Sequence, residues 1–174
     1  HPEDTSNFPN DIGRVTGLAL EDSEDGMVYA SARDGNIYAL NYDLEPEWML
    51  EGLYEGTDNW GVTSIDLDNQ KNWLYTAAHG NHSSALNLTA FDSQNPEDSW
   101  KDAQEWRYEE LGTGQKWGLL ADEDEEAVYI GNDEGDLHRI NESGGSDWEF
   151  NFDEAFSQVG EEFEDRGNVD YLSI

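Results

Sequence analysis

Cysteine is absent from the 174 residues, and three lysines and five arginines stand against 41 acidic side chains. Without cysteine there is no disulfide framework, no thiolate-bound zinc and no thiol nucleophile. The shortage of basic residues leaves no stripe to neutralise phosphates, so a nucleic-acid partner is not expected. No run approaches the roughly 18 consecutive apolar residues of a membrane helix, so no membrane span is expected. No charged-then-apolar leader opens the chain, which starts with His1 rather than Met; a processed product or an excised segment is expected. No G-x-S-x-G, P-loop or dinucleotide fingerprint occurs.

What the chain does have is negative charge, net −33, together with seven Trp, eight Tyr and six Phe. Self-repulsion of that size opposes compaction in dilute buffer. Above about 1 M salt the Debye length falls to about 3 Å and the repulsion is screened. An acidic chain poor in aromatics would be disordered, but here the aromatics recur periodically. A single folded domain adapted to high salt is expected.

The periodicity is clearest at Met27–Asn41, MVYASARDGNIYALN: an apolar run, Asp34-Gly35 as the turn, and a second apolar run. Gly tolerates positive φ and Asp the left-handed region, so the stretch reads as a hairpin. Ala127–Asn141, AVYIGNDEGDLHRIN, repeats it with Glu134-Gly135 at the turn, and Trp73–Asp92 is a looser version with an enlarged loop, His79–Ser84. Tyr29, Tyr75 and Tyr129 mark the register at spacings of 46 and 54, the second lengthened by the polar insertion 92–104. An apolar strand precedes each hairpin (Arg14–Leu20, Gly61–Leu67, Lys116–Ala121), and a Trp-bearing strand follows it (Trp48–Tyr54, Glu105–Leu111, Trp148–Phe152). Four strands per 40–50 residues is the signature of a β-propeller blade. The expectation is all-β: an N-terminal tail or strap at 1–13 and antiparallel blades at 14–58, 59–114 and 115–152. A linker or short helix at 153–166 and the first strand of a further blade at 167–174 complete it. An antiparallel sandwich is the alternative, and the repeated Trp after each third strand argues against it.

The stretch Val28-Tyr29-Ala30…Asp34-Gly35-Asn36-Ile37-Tyr38-Ala39-Leu40-Asn41…Trp48 resembles the quinoprotein-type (PQQ-like) propeller repeat, and Val128-Tyr129…Gly135-Asp136-Leu137…Ile140-Asn141…Trp148 resembles it again. The acid-rich, lysine-poor composition is similar to that of proteins of halophilic archaea and their viruses. The resemblance implies that the recurrent Trp docks between adjacent blades, so Trp48, Trp106 and Trp148, with Tyr29, Tyr75 and Tyr129, are the candidate blade-docking aromatics. Family enzymes have more blades, a calcium-bound quinone and often a cysteine pair. This chain has no Cys and too few blades, so no cofactor is implied. Three blades and one strand do not close a ring. Either the chain is part of a longer one, or a second chain completes the ring, or other elements cap it.

Candidate chemistry is sparse. His79 and His82 share one loop and would need a third ligand, from Asp92 or Asp66, to hold a metal; a polar loop is the preferred reading. The acidic turns Glu21–Asp25 and Asp122–Glu126 are too short for a calcium loop and are expected to be solvated. Copper chelation by His1 would need a second His and a different scaffold. Asn81 and Asn141 head glycosylation sequons, as does Asn87 on an expected inner strand; a glycan on Asn81 would place the protein outside the cell. No catalytic residue emerges. The expected function is a non-catalytic scaffold or protein-interaction module of a cell or virion surface, its open blade face covered by a protein partner or a second copy. The alternative is a propeller-type glycan hydrolase or lyase using carboxylates at the channel mouth.

Overall fold

The computed structural model describes residues 14–50, 61–78, 88–94, 104–109, 111 and 116–157. The expected tail at 1–13, His79, Asn81, His82, most of the 92–104 insertion and the strand at 167–174 lie outside the described residues.

Among the described residues, twelve strands form three separate four-stranded sheets, each running in sequence order. Blade 1 comprises β1 (Val15–Leu20), β2 (Met27–Ala32), β3 (Ile37–Asn41) and β4 (Pro46–Leu50). Blade 2 comprises β5 (Val62–Asp68), β6 (Trp73–Ala78), β7 (Leu88–Asp92) and β8 (Gln104–Tyr108). Blade 3 comprises β9 (Lys116–Asp122), β10 (Ala127–Asn132), β11 (Asp136–Asn141) and β12 (Ser146–Asn151), followed by the single turn α1 (Phe152–Ser157). All pairings are antiparallel. The first strands lie side by side, β1 against β5 and β5 against β9, so the blades stack face to face with blade 2 in the middle. This is the β-propeller arrangement.

The sequence explains each blade locally. β6 reads WLYTAA because both faces of blade 2 are covered, which removes the polar alternation of a half-exposed strand. The hairpin turns sit one residue earlier than a two-residue Asp-Gly turn would. The Gly35 N–H donates to the Ala32 carbonyl at 3.1 Å, so Arg33 and Asp34 are the central residues and Gly35 takes the left-handed position at φ 90°. Gly135 repeats this at φ 83°, bonded to the Asn132 carbonyl at 3.4 Å. A type I turn followed by a left-handed glycine is the preferred longer hairpin connection. Asp34 Oδ1 braces the first turn by accepting the Asn36 N–H at 3.0 Å.

Register divides each blade into two chemically different faces. One carries the rows Ala19–Tyr29–Ala39–Trp48, Asp66–Tyr75–Ala90–Trp106 and Leu120–Tyr129–Arg139–Trp148 in blades 1, 2 and 3. The opposite, aliphatic face carries Leu67, Leu74 and Phe91 in blade 2, and Ala121, Val128 and Ile140 in blade 3. Two core clusters follow. The Trp face of blade 1 closes on the aliphatic face of blade 2, and the Trp face of blade 2 on the aliphatic face of blade 3.

Candidate interaction surface

Three kinds of contact build each seam between blades. The first is aromatic. Tyr29 and Trp48 stand with ring centroids 5.7 Å apart at 48°, Tyr75 and Trp106 at 5.7 Å and 41°, and Tyr129 and Trp148 at 6.0 Å and 55°. Trp48 and Trp106 are buried, 8% and 9% exposed. Trp106 lies against the turn joining β11 to β12, where a Cβ on Gly144 would come within 3.0 Å of its ring; only glycine lets the plate approach that closely. Its Nε1 has no hydrogen-bond partner among the described residues, so apolar contact is what this indole contributes.

The second contact is a chain of staples between the turns that follow the first strands. The Asp22 N–H donates to Asn69 Oδ1 at 2.8 Å, and the Asn69 N–H donates to Glu123 Oε1 at 2.8 Å. Asp22, Asn69 and Glu123 occupy equivalent positions, so each turn hands its N–H to the next blade's side chain. Glu123, expected to be a solvated acid, is therefore a structural acceptor, bonded also by Asn69 Nδ2 at 3.3 Å. Lys71 reinforces the second seam through Glu142 at 2.9 Å and Glu126 at 3.8 Å.

The third contact is between first strands. A Cβ on Gly17 would lie 2.9 Å from Ile65 Cγ2, so β1 and β5 approach at glycine distance. The Thr16 hydroxyl donates to the Val62 carbonyl. The Asp66 carboxylate is engaged by backbone N–H groups. Its Oδ2 accepts the Ala121 N–H at 2.7 Å and its Oδ1 the Leu67 N–H at 3.0 Å. Burial raises the Asp66 pKa; the two N–H groups pull the other way without cancelling the shift. Burial likewise pushes the Tyr29 hydroxyl up to about 12, partly offset by Ser93 and reinforced by Glu21, and raises Tyr75 further.

The Trp face of blade 3 has the same aromatic pair as the other two, but at the end of the three described blades. Trp148 and Phe150 are each 41% exposed. Arg139 occupies the place of Ala39 and Ala90, its Nε donating to the Tyr129 hydroxyl at 3.3 Å and its guanidinium held by Asp147. Sequence reasoning missed Arg139 and Glu123; the signal was a charged residue at a repeat position that holds alanine or asparagine in an earlier blade. At the other end, Leu18 and Leu20 of blade 1 are 63% and 60% exposed, beside a small buried cluster of Ala30, Ala32 and Tyr38. Asn141 folds its own turn. Its Oδ1 accepts the N–H groups of Ser143 at 3.1 Å and Gly145 at 3.0 Å, and its Nδ2 donates to Asp147 at 3.0 Å.

Stacked four-stranded blades with repeating inter-blade plates define a β-propeller protein. Among solved structures the chain is similar to the crystal structure of BamB from Moraxella catarrhalis, at TM-score 0.54 and 17% identity. The match covers 79% of this chain and 37% of that one, so the chain spans little more than a third of its neighbour's length. No family model and no curated protein matches.

Proposed function

We propose that this chain is a non-catalytic interaction scaffold whose blade-3 Trp face docks the aliphatic face of another blade, carried by a protein partner or by a second copy. The observation that carries the reading is the state of equivalent positions. Trp48 and Trp106 are sealed by the next blade, whereas Trp148 and Phe150 stay 41% exposed. Aromatic anchors rimmed by charge are what a protein interface uses at its centre. The chemistry of the occupant follows from the two seams already present: an apolar row like Leu67–Leu74–Phe91 or Ala121–Val128–Ile140. The likeness of the repeat to quinoprotein-type propellers supports the fold half of this reading and supplies no cofactor. The net charge of −33 suits a high-salt setting; a cell or virion surface is the location we propose.

The test is sedimentation and cross-linking in about 1 M KCl, where surface repulsion is screened. The expected result is association through blade 3, with a fall in Trp148 solvent accessibility and weakening by Trp148→Asp. A compact monomer that recovers no partner from its native source, with Trp148 still accessible, overturns the proposal.

A further inference from the structure

We propose that Asp136, His138 and Glu149 form a binding site for a divalent first-row transition ion of the Zn²⁺ type, at the seam between blades 2 and 3. Asp136 and His138 are two residues apart on β11, and Glu149 lies directly opposite His138 on β12, so all three share one sheet face. One ligand atom from each lies within 4.8 Å of the others. His138 Nδ1 stands 3.8 Å from Glu149 Oε2.

The repeat itself supplies the argument that these residues are more than strand filler. The equivalent positions are Asn36, Tyr38 and Met49 in blade 1, and, among the described residues, Thr89 and Arg107 in blade 2. Neither earlier blade offers a donor set for a cation. Blade 3 departs at all three positions together and places a carboxylate, an imidazole and a carboxylate side by side. The departure includes burying a histidine to 2% exposure near Tyr108 of blade 2, with ring centroids 6.5 Å apart.

Supporting groups are also in place. Asp136 Oδ2 accepts Asn132 Nδ2 at 2.9 Å, and Oδ1 accepts the Asn151 amide, which fixes the carboxylate as outer partners of metal ligands do. An ion about 2.1 Å from each donor would set tetrahedral donors about 3.4 Å apart. The cluster therefore needs a closure of up to about 1.4 Å, in which the Glu149 side chain, 57% exposed, has room to move. Imidazole with two carboxylates suits Zn²⁺, Co²⁺ or Mn²⁺, whereas Ca²⁺ and Mg²⁺ prefer all-oxygen shells. Three protein ligands leave a fourth place to water.

The test titrates the full chain with Zn²⁺ by calorimetry in about 1 M KCl, which suppresses loose counterion binding, and with Co²⁺ by visible absorption. One saturable equivalent is expected, together with the strong visible bands of a low-coordinate cobalt ion. Glu149→Gln, at an exposed position that leaves the fold intact by circular dichroism, is expected to weaken binding at least about tenfold. Asn151→Ala is expected to weaken it by about 10–100-fold. Glu24→Gln, in a distant acidic turn, leaves it unchanged. Many weak equivalents with pale six-coordinate cobalt, indifferent to Glu149→Gln, or no saturable binding at all, would overturn the site.

Discussion

Truncating the three equivalent tryptophans one at a time tests the stacking argument directly. A Trp side chain buries about 200 Å², worth about 5 kcal/mol at about 25 cal/mol per Å². Trp48 and Trp106 keep more than nine-tenths of that burial, and their removal leaves a void between two packed sheets. Trp48→Ala and Trp106→Ala are therefore expected to cost about 4–5 kcal/mol each, at the upper end of the aromatic-to-alanine range. Trp148 is 41% exposed, so about 3 kcal/mol of burial remains, and solvent fills the space its ring leaves. Trp148→Ala should cost about 2–3 kcal/mol, a gap of about 2 kcal/mol from its buried counterparts. With a slope of about 2 kcal/mol per M, the gap appears as about 1 M in the urea midpoint. Urea unfolding followed by far-UV circular dichroism in high salt reads it. Equal midpoints for Trp148→Ala and Trp106→Ala would refute the reasoning, because Trp148 would then be sealed within the isolated chain. A cost below about 1 kcal/mol for Trp106→Ala would show that the plates do not hold the blades together.

Three further outcomes are expected. Gly61→Ala should lose about 3 kcal/mol or more, because φ is +74° and the new Cβ would lie 2.5 Å from Arg33 Cα and its carbonyl oxygen. Gly135→Ala, at φ +83° with nothing within 4 Å, should lose only the backbone part, about 1–2 kcal/mol, and thermal melts of the pair separate crowding from conformation. Asp66→Asn removes a buried charge but sets its NH2 against the Leu67 N–H while keeping an oxygen for the Ala121 N–H, so it should cost stability at pH 7, though less than alanine does. Asp66→Ala orphans that N–H and should cost about 1–3 kcal/mol by denaturant unfolding. Alkali should unfold the chain: Tyr29 titrates near 10 when unfolded and at about 12 when folded, so its contribution is whole below pH 10 and is lost as pH climbs towards 12. Tyrosinate absorbance that rises near pH 10 for every tyrosine while the fold persists would contradict this.

The fold was legible because a propeller writes its architecture as a period. The Tyr29, Tyr75 and Tyr129 register and the Gly35 and Gly135 turns are local signals, and local signals survive in sequence. Strand ends were read less well. The strand expected to start at Trp48 begins at Pro46, which an edge strand accepts as its first residue because no ladder N–H is needed there. The last strand ends at Asn151, one residue early, because Phe152 already opens the helical turn α1. The seams were barely legible. Glu123 looked like one more solvated acid in a chain with 41 of them, and only its distance from Asn69 shows the bond. His138 was passed over for His79 and His82, whose closeness in sequence drew attention, while Asp136, His138 and Glu149 converge only through strand pairing.

The seams also say what a partner must present to blade 3. Each existing seam has a side-chain acceptor for the preceding turn's N–H and an aliphatic row beneath the Trp plate, and the second adds a turn, at Gly144, that lets the plate approach. At blade 3 the matching donor is the Glu123 N–H, the plate is Trp148 and the row must cover Leu120, Tyr129 and Leu137. A partner that supplied only the aliphatic row would leave the Arg139–Asp147 pair against apolar surface, where losing water costs more than the pair returns. The partner is therefore expected to place a polar group opposite Arg139, a requirement the first two seams do not have because Ala39 and Ala90 stand there. Arg139→Ala makes this face resemble the other two. It should broaden the set of blades that bind, and it should loosen the native partner if Arg139 is read by a facing carboxylate. Equal affinity for the native partner before and after the change would mean that apolar burial alone governs this face.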